Sequence, residues 1–327
     1  MSEAGRKSNG RGAALALLSM AIFATHDVII KHLGQRYSPV EIVFFAALLS
    51  FPLLSSIMLN DKRGGSLRPL HPGWVILRVV CTVTTGLCAF YAFSTLPLAQ
   101  VYPILFAMPL LITVLSIPVL GEKVGPHRWG AVIVGLIGVL IVVRPGQTDL
   151  QLGHFAAMLA AVCGAMASVI VRKIGGEERS VVLLLSPLLG NFLVMGAALP
   201  FVWVPLQLPD LGFMAVIALF GLTASFLQIL AYRSGEAAIV APMQYSQILW
   251  AIFYGWFIFG EGVDAPTMLG AGVVIASGMY IVFREARPNV SENQPVLRTR
   301  GRTETVTSPR SSLLGRAMGL RPRNPRT

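Results

Sequence analysis

A chain of 327 residues with 54% hydrophobic residues, only 13% charged residues and a mean hydropathy of +0.69 cannot build a water-facing surface, because soluble domains carry about a quarter charged residues. The formal charge of +11 does not indicate a nucleic-acid partner, since the basic residues sit in short gaps between apolar runs and in a polar tail from Arg284 onward, the pattern of a membrane protein with basic cytoplasmic segments. Composition therefore excludes a soluble enzyme and makes lipid the solvent of most of the surface.

Residues 1–11 are polar and basic and lead into the first long apolar run, with no small-residue cleavage site to suggest a removed signal peptide. A spanning helix needs about 20 mostly apolar residues. Such runs occur at 12–31, 40–59, 73–95, 98–119, 127–143, 153–172, 181–204, 211–232, 237–259 and 266–283, which predicts an all-α polytopic membrane protein of ten transmembrane helices. Residues 286–327 form a basic tail rich in Arg, Pro, Ser and Thr, expected to be disordered. With the N-terminus inside, the inner segments hold Arg6, Lys7, Arg11, Lys62, Arg63, Arg68, Lys123, Arg128, Arg172, Lys173, Arg179, Arg233 and the tail arginines, whereas Lys31, Arg36 and Arg144 fall outside. The positive-inside rule then places both termini in the cytoplasm of a bacterial-type inner membrane.

Along the chain, the first helix holds His26, Asp27 and Lys31. Charges within a span face the bundle interior or water. Asp27 and Lys31 are four apart and can meet on one face; the patch reads either as a solute or proton site, with His26 titrating near neutrality, or as a local ion pair with Lys31 snorkelling outward. In the third span Arg78 is expected to snorkel to the cytoplasmic face, and Cys81, Cys88 and Cys163 read as small apolar fillers. The fourth span offers Gln100, Tyr102, Pro103, Pro109 and Pro118; the ninth offers Pro242, Gln244, Tyr245, Ser246 and Gln247. Proline frees backbone carbonyls, which are tolerated at membrane depth only beside protein or a water-lined cavity. A Tyr- and Gln-lined pocket between these helices suits an aromatic or amide-bearing solute, against the alternative of helix packing with interhelical amide bonds. Trp250, Phe253, Tyr254, Trp256 and Phe257 read as an outer aromatic belt, Glu122 and Glu261 as helix-end caps, and the glycines of the fifth and tenth spans as close-packing positions.

The chain repeats itself. Residues 92–122 (AFSTLPLAQVYPILFAMPLLITVLSIPVLGE) align with 231–261 (AYRSGEAAIVAPMQYSQILWAIFYGWFIFGE), sharing Pro103 with Pro242 and Gly121-Glu122 with Gly260-Glu261; upstream, Val28-Ile29 matches Val169-Ile170. Each half thus holds five helices, over 12–146 and 153–283. Five being odd, equivalent helices cross the bilayer in opposite directions, an inverted 5+5 repeat of the kind secondary transporters use.

These stretches, with RWGAVIVGLIGVLIVVRPG over 128–146, resemble the EamA family of the drug/metabolite transporter superfamily across residues 12–283. The resemblance implies a ten-helix carrier with both ends cytoplasmic. Many relatives carry Arg after a Phe-Phe pair in the second helix; here Ala46 follows Phe44-Phe45, so no contact by that arginine carries over.

No GxxxxGK[ST], HExxH or GxSxG run occurs, so neither a nucleotide-driven motor nor catalysis is expected, and no metal or cofactor. The expected function is secondary transport of a small organic metabolite, with riboflavin uptake as the first choice of substrate. Export of amino acids or drugs and carriage of an S-adenosylmethionine-type metabolite are the alternatives, with a membrane enzyme or a non-transporting assembly or sensor protein as competitors in other classes. Substrate-binding candidates are His26, Asp27, Gln100, Tyr102, Gln244, Tyr245 and Gln247, and the expected partners are a small organic solute and membrane lipids, a homodimer being allowed.

Overall fold

The computed structural model describes residues 3–58, 68–122, 124–145, 150–175, 177–178, 180–235 and 237–286. Lys62, Arg63, Lys123, Arg179 and the arginines beyond Arg284 that entered the orientation argument lie outside the described residues, as does the expected disordered tail from residue 287. Among the described residues the chain is all-helical.

Its helices are α1 (Glu3–Leu33), α2 (Pro39–Met58), α3 (Pro72–Thr95), α4 (Leu98–Leu105), α5 (Met108–Leu120), α6 (Pro126–Val143), α7 (Leu152–Ile174), α8 (Ser180–Ala198), α9 (Leu208–Ser234), α10 (Ala237–Val240), α11 (Ser246–Phe259) and α12 (Ala265–Ala286). Taking α4 with α5 and α10 with α11 as single interrupted spans gives ten. Among the described residues seven stretches, Leu98–Leu120 among them, are long and apolar enough to cross a membrane, and Pro39–Pro52 and Leu185–Phe201 are shorter apolar helices. Helices suit this solvent because each satisfies its backbone polar groups internally. Ile133, Ile137 and Leu140 of α6 and Trp256 and Phe257 of α11 turn outward and are exposed, as a lipid-facing surface requires.

Both interruptions have a covalent cause. Pro109 has no N–H to give the Leu105 carbonyl; α4 stops there, Ala107 N instead bonds Ile104 O at 3.1 Å, and α5 resumes at Met108. In the second half Pro242 opens a 3-10 turn over Ala241–Tyr245 before α11 begins. Both broken spans end on a left-handed glycine, Gly121 at φ 71° and Gly260 at φ 65°, a conformation that other residues reach only with strain. The span expected over 181–204 is shorter than its hydropathy suggested: α8 ends at Ala198 and gives way to a 3-10 turn over Leu199–Phe201, where Pro200 can donate no helical bond.

Packing follows the repeat. The α1–α9 contact between the halves has its exchanged counterpart in α7–α3, while the equivalent pairs α6–α12 and α2–α8 meet each other. The α6–α12 seam is closed to backbone distance: a Cβ on Gly270 would lie 2.6 Å from the Gly138 carbonyl oxygen, and one on Gly138 would lie 2.9 Å from the Gly270 carbonyl oxygen. The result is an inverted five-plus-five bundle whose pseudo-twofold axis runs between α4–α5 and α10–α11.

Candidate functional site

Near that axis α1 buries two ionisable side chains side by side, His26 at 1% and Asp27 at 0% exposure. His26 Nδ1 lies 2.9 Å from Asp27 Oδ1, and the Tyr102 hydroxyl donates to Asp27 Oδ2. With Asp27 ionised, the first contact requires the imidazole proton on Nδ1. Tyr102 reaches Asp27 from the last turn of α4, just before the proline-imposed break. Its ring continues a column of aromatic faces: Phe93 at 5.5 Å, Phe106 stacked at 6.0 Å, then Phe106 to Tyr245 at 5.2 Å. Phe106 and Tyr245 occupy equivalent repeat positions, each at the break of its span, and touch across the pseudo-twofold axis. The His26 ring meets Phe90 edge-on at 6.3 Å.

Of the sequence candidates, His26, Asp27 and Tyr102 come together directly, and Tyr245 joins them through Phe106. Gln247 is buried on α11, and its Nε2 has no hydrogen-bond partner. Gln244 Nε2 donates to the Tyr232 hydroxyl at 2.9 Å. Gln100 is half-buried and two residues from Tyr102, so the two side chains leave α4 on different faces. Phe106 was not singled out from sequence, since nothing distinguishes one phenylalanine in an apolar span. Gln228, buried in α9 with both side-chain polar atoms unpartnered, was also missed, although a lone amide within the apolar run 211–232 was a readable signal.

The expected local pairing of Asp27 with Lys31 gives way to a long-range one. Lys31 Nζ pairs with Glu261 Oε1 at 2.7 Å and donates to the Leu96 carbonyl at 2.6 Å, while Glu261 Oε2 accepts from Leu98 N at 3.2 Å. Asp27 turns to Tyr102 and His26, so the two charges of α1 serve different partners. The repeat carries a mirrored pair: Arg172, equivalent to Lys31 on α7, pairs with Glu122, equivalent to Glu261. Both glutamates therefore cross between the halves as well as following a helix-ending glycine.

Further out, Tyr37 Oη donates to Asp210 at 2.6 Å and Arg36 approaches it at 3.5 Å. At the equivalent place in the other half, His71 Nε2 meets Glu177 at 2.6 Å and His71 N donates to Glu178 at 2.5 Å. Arg144 pairs with Asp264, again between halves. Because equivalent helices run oppositely, the Lys31 and Arg172 pairs lie at opposite ends of the bundle, and buried Asp27 is one turn of α1 from Lys31.

Two expectations change in detail. Arg78 does not run free to an interface but donates to the Leu183 carbonyl of α8. Of the expected belt, Phe253, Trp256 and Phe257 are exposed, whereas Tyr254 Oη bonds Thr25 Oγ1 at 3.0 Å and Trp250 stacks on Tyr254. The cluster offers a carboxyl group, two hydroxyls and aromatic faces, which is equipment for binding. Among the described residues no group of three or more His, Cys, Asp or Glu could hold a metal ion.

Comparison with known proteins agrees with this plan. The model of the EamA-like transporter family matches residues 10–144 and again 151–283. The chain is 27% identical to an S-adenosylmethionine uptake transporter of Rickettsia bellii, over 86% of this chain and 96% of that protein. It is also 27% identical to a riboflavin transporter of Rhizobium johnstonii, over 74% and 79%, and 25% identical to a pseudopaline exporter of Pseudomonas aeruginosa, over 81% and 94%. One solved crystal structure superposes with a TM-score of 0.56 at 15% identity, covering 86% of this chain and 99% of the other, a likeness of fold alone. Two family matches, one per repeat, cover nearly all the helical chain, and the protein belongs to the EamA-like transporter family.

Proposed function

We propose that this small-metabolite transporter takes up a heteroaromatic solute bearing a positive charge, S-adenosylmethionine in kind, across a bacterial cytoplasmic membrane with both termini inside. The observation that carries the reading is Asp27, fully buried and hydrogen-bonded by Tyr102 beside a column of aromatic rings. A carboxylate inside a bundle is costly unless it serves a charge, and ring faces favour cations as well as flat heterocycles. The Rickettsia bellii relative is, by its name, an uptake transporter of S-adenosylmethionine. Units 12–146 and 153–283, between a short N-terminal segment 1–11 and the tail 286–327, rock about the Phe106–Tyr245 contact, opening the Lys31–Glu261 end and the Arg172–Glu122 end in turn. Without a nucleotide-binding motif, the driving force is an ion gradient or exchange.

Riboflavin uptake is the second reading, favoured by the aromatic column, which suits a neutral isoalloxazine, and by the name of the Rhizobium relative. Counterflow into proteoliposomes separates the two. Labelled S-adenosylmethionine should be accumulated against unlabelled solute inside, and Asp27→Asn should weaken its apparent affinity roughly ten- to hundredfold, the loss of a charge-assisted contact. Riboflavin exchange that is indifferent to Asp27→Asn would move the substrate to the second reading. No exchange of either solute, despite well-folded protein, would leave a sensor or assembly role.

A further inference from the structure

We infer that Cys81 of α3 and Cys163 of α7 are a redox pair whose disulfide ties the two halves of the bundle together and stops transport. The disulfide stands on the packing alone; the arrest of transport rests on the carrier reading above. α3 belongs to the first repeat and α7 to the second, and the two run antiparallel along one seam. Val75 clusters with Ile170 and Ile174 towards one end. Thr85 Oγ1 donates to the Ala160 carbonyl at 3.4 Å in the middle, and a Cβ on Gly153 would lie 2.5 Å from Thr95 Oγ1 towards the other end. On that register Cys81, one turn before Thr85, falls opposite Cys163, one turn after Ala160. There the two thiols hydrogen-bond each other. The seam is close because α7 buries Ala157, Ala160, Ala161 and Ala165 in it, and small residues let helix backbones approach. A disulfide needs that closeness, with facing Cα atoms within about 7 Å.

The mirrored seam shows that packing does not require the pair. There Ser19 Oγ donates to the Ala224 carbonyl at 2.7 Å. Ser19 and Ala224 are the repeat equivalents of Ala160 and Thr85, so the two seams share one register. In the mirrored seam the positions of Cys163 and Cys81 hold Ile22 and Phe220. Cys81 is buried and Cys163 half-buried, so an oxidant dissolved in the bilayer meets Cys163 first. The oxidant class is a peroxide, small and uncharged enough to enter lipid. Cys163 and hydrogen peroxide give a sulfenic acid and water; the Cys81 sulfur then displaces the sulfenic hydroxyl as a second water. Two thiols and one peroxide become one disulfide and two waters, the sulfurs losing the two electrons that the peroxide gains. A dithiol returns them. Cys163 lies midway along α7 (Leu152–Ile174), so the bond clamps the halves between the two ends that they open in turn.

Full-length protein in proteoliposomes, treated with hydrogen peroxide, tests both parts. Digestion without reduction and mass spectrometry should find the Cys81 and Cys163 peptides joined, lighter than their sum by two hydrogens. Counterflow of labelled S-adenosylmethionine and of labelled riboflavin should fall in proportion to the joined fraction, and dithiothreitol should restore it. Cys81→Ala and Cys163→Ala should exchange at the reduced wild-type rate and keep that rate in peroxide, whereas Cys88→Ala, lacking the third cysteine, should behave as wild type. Peroxide-treated wild type without the joined peptide, or with Cys163 joined to Cys88 instead, overturns the pair even if no variant folds. A joined peptide with undiminished exchange overturns the arrest of transport and leaves the carrier reading standing. Reduced wild type that exchanges neither solute overturns the carrier reading, and with it the arrest, whatever the peptides show.

Discussion

Neutralising Glu261 should open the end of the bundle that carries Lys31, and neutralising Glu122 should open the other. Lys31 Nζ and Glu261 Oε1 are 2.7 Å apart, with side chains 8% and 19% exposed. At an effective dielectric of about 20, two unit charges at that distance attract by about 6 kcal/mol before desolvation is subtracted. Removing one partner of such a shielded pair, which strands the other charge, costs about 3 kcal/mol. If the pair forms only when its end is closed, that energy shifts the open-to-closed ratio roughly a hundredfold. The assay is labelling of Ala24→Cys, a buried site on α1, in protein whose Cys81, Cys88 and Cys163 are replaced by alanine. A membrane-impermeant maleimide is applied to intact cells and then to inverted vesicles. Glu261→Gln should speed labelling from the Lys31 side, Glu122→Gln from the Arg172 side, and the charge swap Lys31→Glu with Glu261→Lys should restore slow labelling. Acceleration from the same side in both variants, or from neither side, would refute the assignment of these pairs to opposite ends.

Gly278→Ala would put a methyl 1.7 Å from the Tyr245 hydroxyl, so it should displace Tyr245 from Phe106 and weaken solute affinity at normal expression; adding Tyr245→Phe, read by counterflow, should recover part of the loss. Gly138→Ala, at a seam with no room for a methyl, should lower the thermal unfolding midpoint by an overpacking cost of about 1–3 kcal/mol, whereas Gly130→Ala, with open space around it, should not. Asp264 lies in the loop before α12, and its carboxyl is held below the usual value of 3.8 by the Thr267 hydroxyl first and by Arg144 second. A depressed folded value means its stabilisation is complete above that ordinary value and is lost as the pH falls through the folded one. Thermal scans of wild type should therefore drop more steeply on acidification than scans of Asp264→Asn, and parallel curves would refute the contact.

The bundle was largely legible in the sequence because lipid imposes a crude rule: apolar runs of spanning length, prolines that break them and glycines that end them. Pro109 and Pro242 announced the interruptions, and Gly121-Glu122 and Gly260-Glu261 announced the repeat. The buried polar cluster was legible only where a residue's chemistry was itself anomalous in a span, as for His26 and Asp27. Lys31 shows the limit. Helical spacing offered Asp27 as its partner, yet Glu261 from the far half is better placed once α11 lies parallel to α1, and no local periodicity encodes that meeting. Phe106 is a second kind of failure. Its importance comes from standing on the axis, a property of the assembled halves that its apolar side chain does not advertise. The early end of α8 is a third, since hydropathy continues through Pro200 although the helix does not.

The two halves are alike in mechanics and unlike in chemistry. Lys31–Glu261 answers Arg172–Glu122, the breaks at Phe106 and Tyr245 answer each other, and Gly121 answers Gly260. At the Asp27 cluster the correspondence stops. Asp27 faces Ser168 as its equivalent, and Ser168 bonds its own helix at Gly164; Tyr102 is matched by Ala241, and Gln247 by Met108. A duplicated frame that kept its symmetric chemistry would hold a symmetric solute or accept one in two orientations. The Asp27–Tyr102 pair has no such counterpart, so under the proposed carrier mechanism a solute held there has one polarity along the bundle. Under that mechanism the mirrored ion pairs reverse access while the unmirrored cluster keeps the solute's orientation fixed.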